Sequence, residues 1–468
     1  MESSRDVRLG SAILRLALAA LFASAPRLAI RIEAHGLALD AGAPRTIYAM
    51  THKRDPDTFA SPPVILGRRS WRALAADVRF VMRADALQWG FFARLVKRPD
   101  WLRRALRPFS VGGVLRAAGV YAMDGFHSRP AELWIREALA AEGAALANAK
   151  VGVALAPETV RMIAGAAGKR PEELAALPVA ALSRWRYAAA LQLPTGPGLF
   201  IGPERRRAER RLMAAARSQL REMTEWLRGG GSLYMAPEGR FSADGLLNPA
   251  RAGLRQLIRG APPDTRIQPI AIMYDFMTTG RLRMFIDLAP PIEDGARLAG
   301  GQLDRRLRAA WLESARFTCT QLATAALVTL HAGASAEKAA RGQVDELVRT
   351  THSLAMALDT IGRHVDGALL SADGARRRVA RYLRYAERRG LARRDGAAYT
   401  IAPGALPPQD DAPAALPGVL PDSAGYPISP MRYAWNEAFE MLTAAYLLPA
   451  TALEARATAT LYSAGAGS

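Results

Sequence analysis

A chain of 468 residues is too long for one ordinary domain and suggests two or three. Half of it is hydrophobic and 23% charged, enough apolar material for a real core, which excludes wholesale disorder. The 63 Lys and Arg against 43 Asp and Glu leave +20 and a pI near 10.8. That surplus points to nucleic acid, an anionic membrane face or phosphorylated small molecules, although an Arg- and Ala-rich composition is also what a GC-rich coding sequence produces.

The first segment, residues 1–27, contains SAILRLALAALFASAP (11–26), with Arg15 in its middle and no convincing cleavage site. It is expected to be an amphipathic helix, lying on a membrane surface or packing on a core. No run of eighteen uncharged apolar residues follows, so no spanning helix is expected and the protein is placed inside the cell. Apolar runs then recur as expected strands: LAIRIEAHG (28–36), TIYAM (46–50), RFVMR (79–83), GVYAM (119–123), GSLYMAP (231–237), IQPIAIMYD (267–275) and RLRMFIDLAPPI (281–292). Helical patterns separate most of them, which predicts an α/β domain over 28–300 with a mostly parallel sheet flanked by helices. Residues 131–200 are Ala-rich and helical and read as an insertion into it.

From 301 to 468 the chain is mainly helical. Its single Cys319 excludes a disulfide framework or a Cys-based zinc site and reads as a small buried residue. Residues 375–401 read as a helix, a Gly turn and a small hairpin, a winged-helix-like pattern that keeps nucleic acid open as a partner. A Pro-rich stretch (403–421) and a last amphipathic helix, MRYAWNEAFEMLTAAYLL, complete the chain.

Two histidines have an Asp five positions on: His35 with Asp40, and His52 with Asp57. The spacing alone is weak, but context separates the pairs. His35 precedes an apolar GLALD, whereas His52 follows TIYAM directly in a polar loop, THKRDPD, at a strand's C-terminal end. Open α/β sheets hold their ligand sites at such ends. A carboxylate bonded to one imidazole nitrogen fixes the tautomer and makes the other a general base. The bland alternative is a solvated charged loop. A second cluster, APEGRFSADG (236–245), also follows an apolar run. There Gly239 lets a ligand approach the backbone and Arg240 offers a forked phosphate donor, unless the segment is a plain surface turn.

Taken in order, His52-x4-Asp57, then Pro237-Glu238-Gly239 with Ser242, then IQPIAIMYD resemble the glycerolipid acyltransferase family of lysophosphatidate and glycerol-3-phosphate acyltransferases. The family's second block looks like Gly119-Val120-Tyr121-Ala122-Met123-Asp124, with Gly125 where Arg is usual. In the Glu-Gly-Arg-Phe-Ser block the Arg is shifted by one position. The resemblance covers roughly 28–292, interrupted by the insertion, and implies a glycerol-phosphate acyltransferase-like fold. It further implies that His52 is the base, oriented by Asp57, and that Glu238 and Gly239 position the acceptor. Arg83, Arg240 or Arg129 would hold its phosphate, with Gly119 and Ser242 completing the blocks. The donor is acyl-CoA or acyl carrier protein, the acceptor a glycerol-phosphate lipid, and no cofactor, metal or acyl-enzyme is required. Tyr433-x-x-Asn436 is faintly similar to the tail of the large glycerol-3-phosphate acyltransferases, though a Tyr and an Asn on a packed helix are more often structural.

The window 67–116 carries a net +9 interleaved with Trp71, Trp89, Phe91, Phe92 and Trp101, which suits an anionic membrane interface or, more plainly, a solvated face over buried aromatics. Together these readings place a peripheral enzyme of phospholipid synthesis on the cytoplasmic face of the inner membrane. One rival keeps the fold but changes the acceptor to another lysolipid or an acylated amino acid. The other is a non-enzymatic protein holding nucleic acid through the Arg-rich 375–394 region. That region lacks a second basic helix with base-reading polar residues, so nucleic acid is not the expected partner.

Overall fold

The computed structural model describes residues 30–39, 42–54, 57–66, 78–83, 101, 120–123, 129–184, 187, 190–192, 194–239, 242, 244–298, 300–331, 339–406 and 429–445. The expected N-terminal helix, most of the basic window 67–116 and most of the Pro-rich stretch lie outside them. In chain order the first elements are β1 (Ile30–His35), β2 (Thr46–Met50), α1 (Asp57–Leu66), β3 (Val78–Arg83) and β4 (Val120–Met123). Then come α2 (Ala131–Glu142), α3 (Pro157–Ala166), α4 (Gly202–Arg228), β5 (Ser232–Met235), α5 (Ala252–Gly260), β6 (Arg266–Asp275) and β7 (Leu282–Leu288). The last are α6 (Gly300–Ser314), α7 (Cys319–Leu330), β8 (Ala340–Gln343), α8 (Val344–Thr360), α9 (Ala372–Arg388), β9 (Ala392–Asp395), β10 (Ala398–Ile401) and α10 (Pro430–Ala444). They fall into two compact units, residues 1–78 with 227–468, and residues 79–226.

The first unit is built on strands in the order β1-β7-β6-β2-β5. Three pairings are parallel, and β6 with β7 is antiparallel. Strands β2 and β5 are buried at every position, as is β6 after its first residue. Strands covered on both faces read as continuous apolar runs rather than alternating ones, which is why TIYAM and IQPIAIMYD stand out. Tyr48 lies opposite Tyr234 across the β2–β5 pair, and the rings stack with centroids 6.0 Å apart. Helix α6 packs on β6 and sends the Trp311 indole N–H to the Ala49 carbonyl at 2.9 Å.

Helix α7 is buried on nearly every side and begins with a capping box between Thr318 and Gln321, so it is a core helix of the C-terminal region. Helices α8, α9 and α10 surround it. Strands β8, β10 and β9 form a small antiparallel sheet with β10 in the middle. The turn and hairpin expected after α9 are present as β9 and β10.

The second unit contains β3 paired parallel with β4, from Phe80↔Val120 to Arg83↔Met123. Its Ala-rich helices have an apolar core of their own around Trp134, Ile135, Leu155, Ile163, Tyr187 and Phe200. Helix α4 carries exposed pairs such as Arg205–Glu209 at 3.0 Å, which keep it solvated but contribute little stability.

Candidate active site

Strands β2 and β5 are hydrogen-bonded neighbours, so the loops leaving their C-terminal ends meet. His52 is two residues beyond β2, and Glu238 three beyond β5. Asp57 opens α1 and is fully buried. Its Oδ2 accepts the backbone N–H groups of Lys53 at 2.5 Å and Arg54 at 2.7 Å, which closes the loop on itself. Its Oδ1 accepts the Tyr274 hydroxyl from β6. The carboxylate thus fixed stands 3.5 Å from His52 Nδ1, close enough for electrostatic pairing and long for a hydrogen bond. The imidazole keeps 12% of its surface open, which leaves Nε2 as the nitrogen turned away from Asp57.

The second loop grips the peptide of His52 from both sides. Glu238 Oε1 accepts the His52 N–H at 2.9 Å, and the Ser242 N–H donates to the His52 carbonyl at 3.0 Å. Glu238 Oε2 accepts the Asn248 backbone N–H at 2.7 Å and its side-chain amide at 3.2 Å. Burial pushes the Glu238 carboxyl above its ordinary range, against the opposing pull of Lys53 and these donors. Gly239 has φ +64°, and a Cβ there would stand 3.2 Å from Arg251 Cγ, so a side chain is disfavoured on both counts. Ser242 is buried, and its hydroxyl is used inside the loop: it donates to the Leu246 carbonyl at 2.8 Å and accepts the Gly245 N–H at 3.0 Å. Among the described residues, Glu238 and Ser242 therefore shape the loop that holds His52.

Helix α10 closes this loop from outside. Asn436 donates to the Asp244 carbonyl at 2.7 Å, the Tyr433 hydroxyl reaches the Ser242 carbonyl at 3.4 Å, and Glu440 accepts the Leu247 N–H at 2.9 Å. Gly245, at φ +93°, packs so closely that a Cβ would lie 2.4 Å from the Tyr433 carbonyl oxygen. The Tyr and Asn noticed in the sequence therefore hold backbone, as the structural reading of that helix expects. Lys53, Glu437 and Gln321 were not singled out. Lys53 Nζ donates to the Gly245 carbonyl at 3.1 Å and pairs with Glu437 at 3.2 Å, while Gln321 donates to Glu437 at 2.7 Å. Burial opposes the Lys53 ammonium, but Glu437, Tyr433, Glu238 and Glu440 more than offset it and raise its pKa. A lysine directly after the candidate base, in the loop from the buried strand β2 to α1, is the signal the sequence offers.

The other expected site residues are placed less fully. Arg240 and Gly119 lie outside the described residues, as do the side chains of Arg83 and Arg129, whose backbones end β3 and follow β4 in the second unit. His35, the competing match, is exposed at the end of β1, and its Asp40 also lies outside. Among the described residues no three His, Cys, Asp or Glu side chains converge as a metal ion requires, and no helix is long and apolar enough to cross a membrane.

No model of a protein family matches the chain, and no curated protein matches it in sequence. Among solved structures, the crystal structure of the 1-acyl-sn-glycerophosphate (LPA) acyltransferase PlsC from Thermotoga maritima is similar over 66% of this chain and 80% of that one. The identity is 11% and the TM-score 0.33, a level at which the likeness decides nothing about activity.

Proposed function

We propose that the protein is an O-acyltransferase that moves a fatty acyl group from acyl-CoA or acyl carrier protein to a hydroxyl of a glycerol-phosphate lipid, working peripherally at an anionic membrane face. The observation that carries this reading is the convergence of the two motif loops. His52 faces a fully buried Asp57 at 3.5 Å, and the His52 peptide is held by Glu238 and Ser242. In this reading His52 Nε2 takes the acceptor hydroxyl proton, and Asp57 steadies the resulting imidazolium. The alkoxide attacks the thioester carbonyl, the C–S bond breaks, and the departing thiolate recovers a proton from His52. No acyl-enzyme forms, which agrees with a Ser242 hydroxyl already committed to the loop. Backbone N–H groups would meet the developing oxyanion. Gly239, exposed beside Glu238, gives the acceptor room, and Arg240, next in the same loop, would supply a phosphate contact.

The test is release of free thiol from acyl-CoA that depends on a glycerol-phosphate acceptor. Arg240→Ala is expected to raise KM for the phosphorylated acceptor more than KM for the acyl donor, and equal effects on both would remove its assigned role.

A further inference from the structure

Residues 376–394 carry nine arginines against one acidic residue, Glu387. On α9 they are sorted by face. Ala375, Val379, Tyr382, Leu383 and Ala386 are buried against the helical core. Arg377, Arg381, Arg384 and Arg388 are exposed and spaced four, three and four residues apart. At about 100° per residue they lie within an arc of about 60°, centred opposite the buried face. The flanking arginines are already used. Arg376 pairs with Asp345 at 2.6 Å, Arg378 reaches the buried Asp366 at 3.7 Å, and Arg389 stacks on Tyr385 at 5.6 Å. Among the described residues, no ion pair engages the four arginines of the stripe. Asp373 is the acidic residue on the same line, at its N-terminal end. Beyond the helix, Arg393 and Arg394 are exposed on β9, an edge strand of the small sheet, where consecutive side chains point to opposite faces.

We propose that this arginine face of α9 docks the protein on an anionic lipid bilayer. A line of arginines on a rigid helix matches a laterally continuous field of phosphate headgroups, and each basic group adds to the attraction near such a surface. Arginine also reads guanine edges, so a DNA duplex is an arm of the test below. The choice of a bilayer as occupant rests on the lipid acyltransferase reading, since acceptor and product of that reaction are amphiphiles.

Co-sedimentation of the full chain with phosphatidylcholine vesicles, with and without phosphatidylglycerol, tests the docking. The chain is expected to bind only the anionic vesicles, and rising salt to release it. The combined variant Arg377→Glu, Arg381→Glu, Arg384→Glu and Arg388→Glu is expected to lose at least tenfold in vesicle partitioning. A charge-matched control on α4, with Arg206, Arg210, Arg217 and Arg221 each changed to Glu, is expected to stay within twofold. Equal loss in both variants, or retained binding by the stripe variant, would overturn the proposal. So would a stripe-dependent affinity for a short DNA duplex above that for the vesicles. Acyl transfer to a detergent-dispersed acceptor is measured in parallel. For the wild type, absent transfer with anionic-vesicle binding present removes only the enzymatic reading, and absent vesicle binding with transfer present removes only the docking.

Discussion

Lys53 and His52 are adjacent in sequence yet meet opposite demands. The imidazole keeps an opening to solvent, whereas the lysine runs inward to a buried carboxylate on α10. If His52 is the general base, His52→Ala lowers acyl transfer by about two orders of magnitude or more with the fold intact, as circular dichroism would show. His35→Ala, at the competing match, is expected to leave turnover within a few-fold. Lys53→Met leaves the buried Glu437 without its cation, and breaking a buried pair in this way costs about 3–5 kcal/mol. The double variant Lys53→Met with Glu437→Gln is expected to recover part of that loss in chemical denaturation. No recovery would mean that the two side chains are not energetically coupled. His52 and Asp57 were legible because they share one polar loop after an apolar run. Glu437 was not, because on an amphipathic helix it looks like any solvated glutamate, and its partner lies at the far end of the sequence.

Strands announce themselves through burial. Apolar runs mark β2, β5 and β6 because strands covered on both faces need not alternate, whereas β1, at the edge of the sheet, alternates as IRIEAH. Such a run carries no direction, however, and a mostly parallel sheet was all it could imply. The antiparallel β6–β7 pair follows from the short link between Asp275 and Leu282, too brief for a crossover and closed by Gly280 at φ +109°. Helix α10 illustrates the opposite case. Its amphipathic pattern predicts the element, yet its role in closing the Glu238 loop depends on contacts made only after folding. At the same scale, His331 ends α7 with Nε2 3.1 Å from the Tyr399 hydroxyl of β10. Burial lowers its pKa below the ordinary 6.5, with Glu346 opposing. The unfolded chain then binds this proton more readily, so stability is full above that value and declines as pH falls through the lower folded one. Melting temperatures between neutral and mildly acidic pH are expected to fall more for the wild type than for His331→Gln; equal slopes would contradict this.

At the scale of the first unit, charge ties the sheet to the C-terminal helices. Arg283 on β7 is held by Glu33 on β1 at 2.8 Å and by Asp366, just before α9, through both terminal nitrogens. Arg378 stands 3.7 Å from the same Asp366 and 3.9 Å from Asp275. Arg283→Met removes the central cation and leaves the buried Asp366 and Asp275 with Arg378 as their shared cation. A loss of about 3–5 kcal/mol is expected, with denaturation becoming less cooperative as the helical module separates from the sheet. A change below 1 kcal/mol would show that the network is dispensable. Such couplings were invisible in the sequence, where the charge surplus spoke only of partners.

The central claim is that one imidazole, backed by Asp57, activates an alcohol for attack on a thioester. Mass spectrometry of products from acyl-CoA and a panel of glycerol-phosphate acceptors, with wild-type protein and His52→Ala side by side, tests it most directly. An acylated glycerol-phosphate made by the wild type and reduced a hundredfold or more in the variant is the predicted result. Undiminished product from the His52→Ala protein, or none from the wild type with any acceptor, would contradict it.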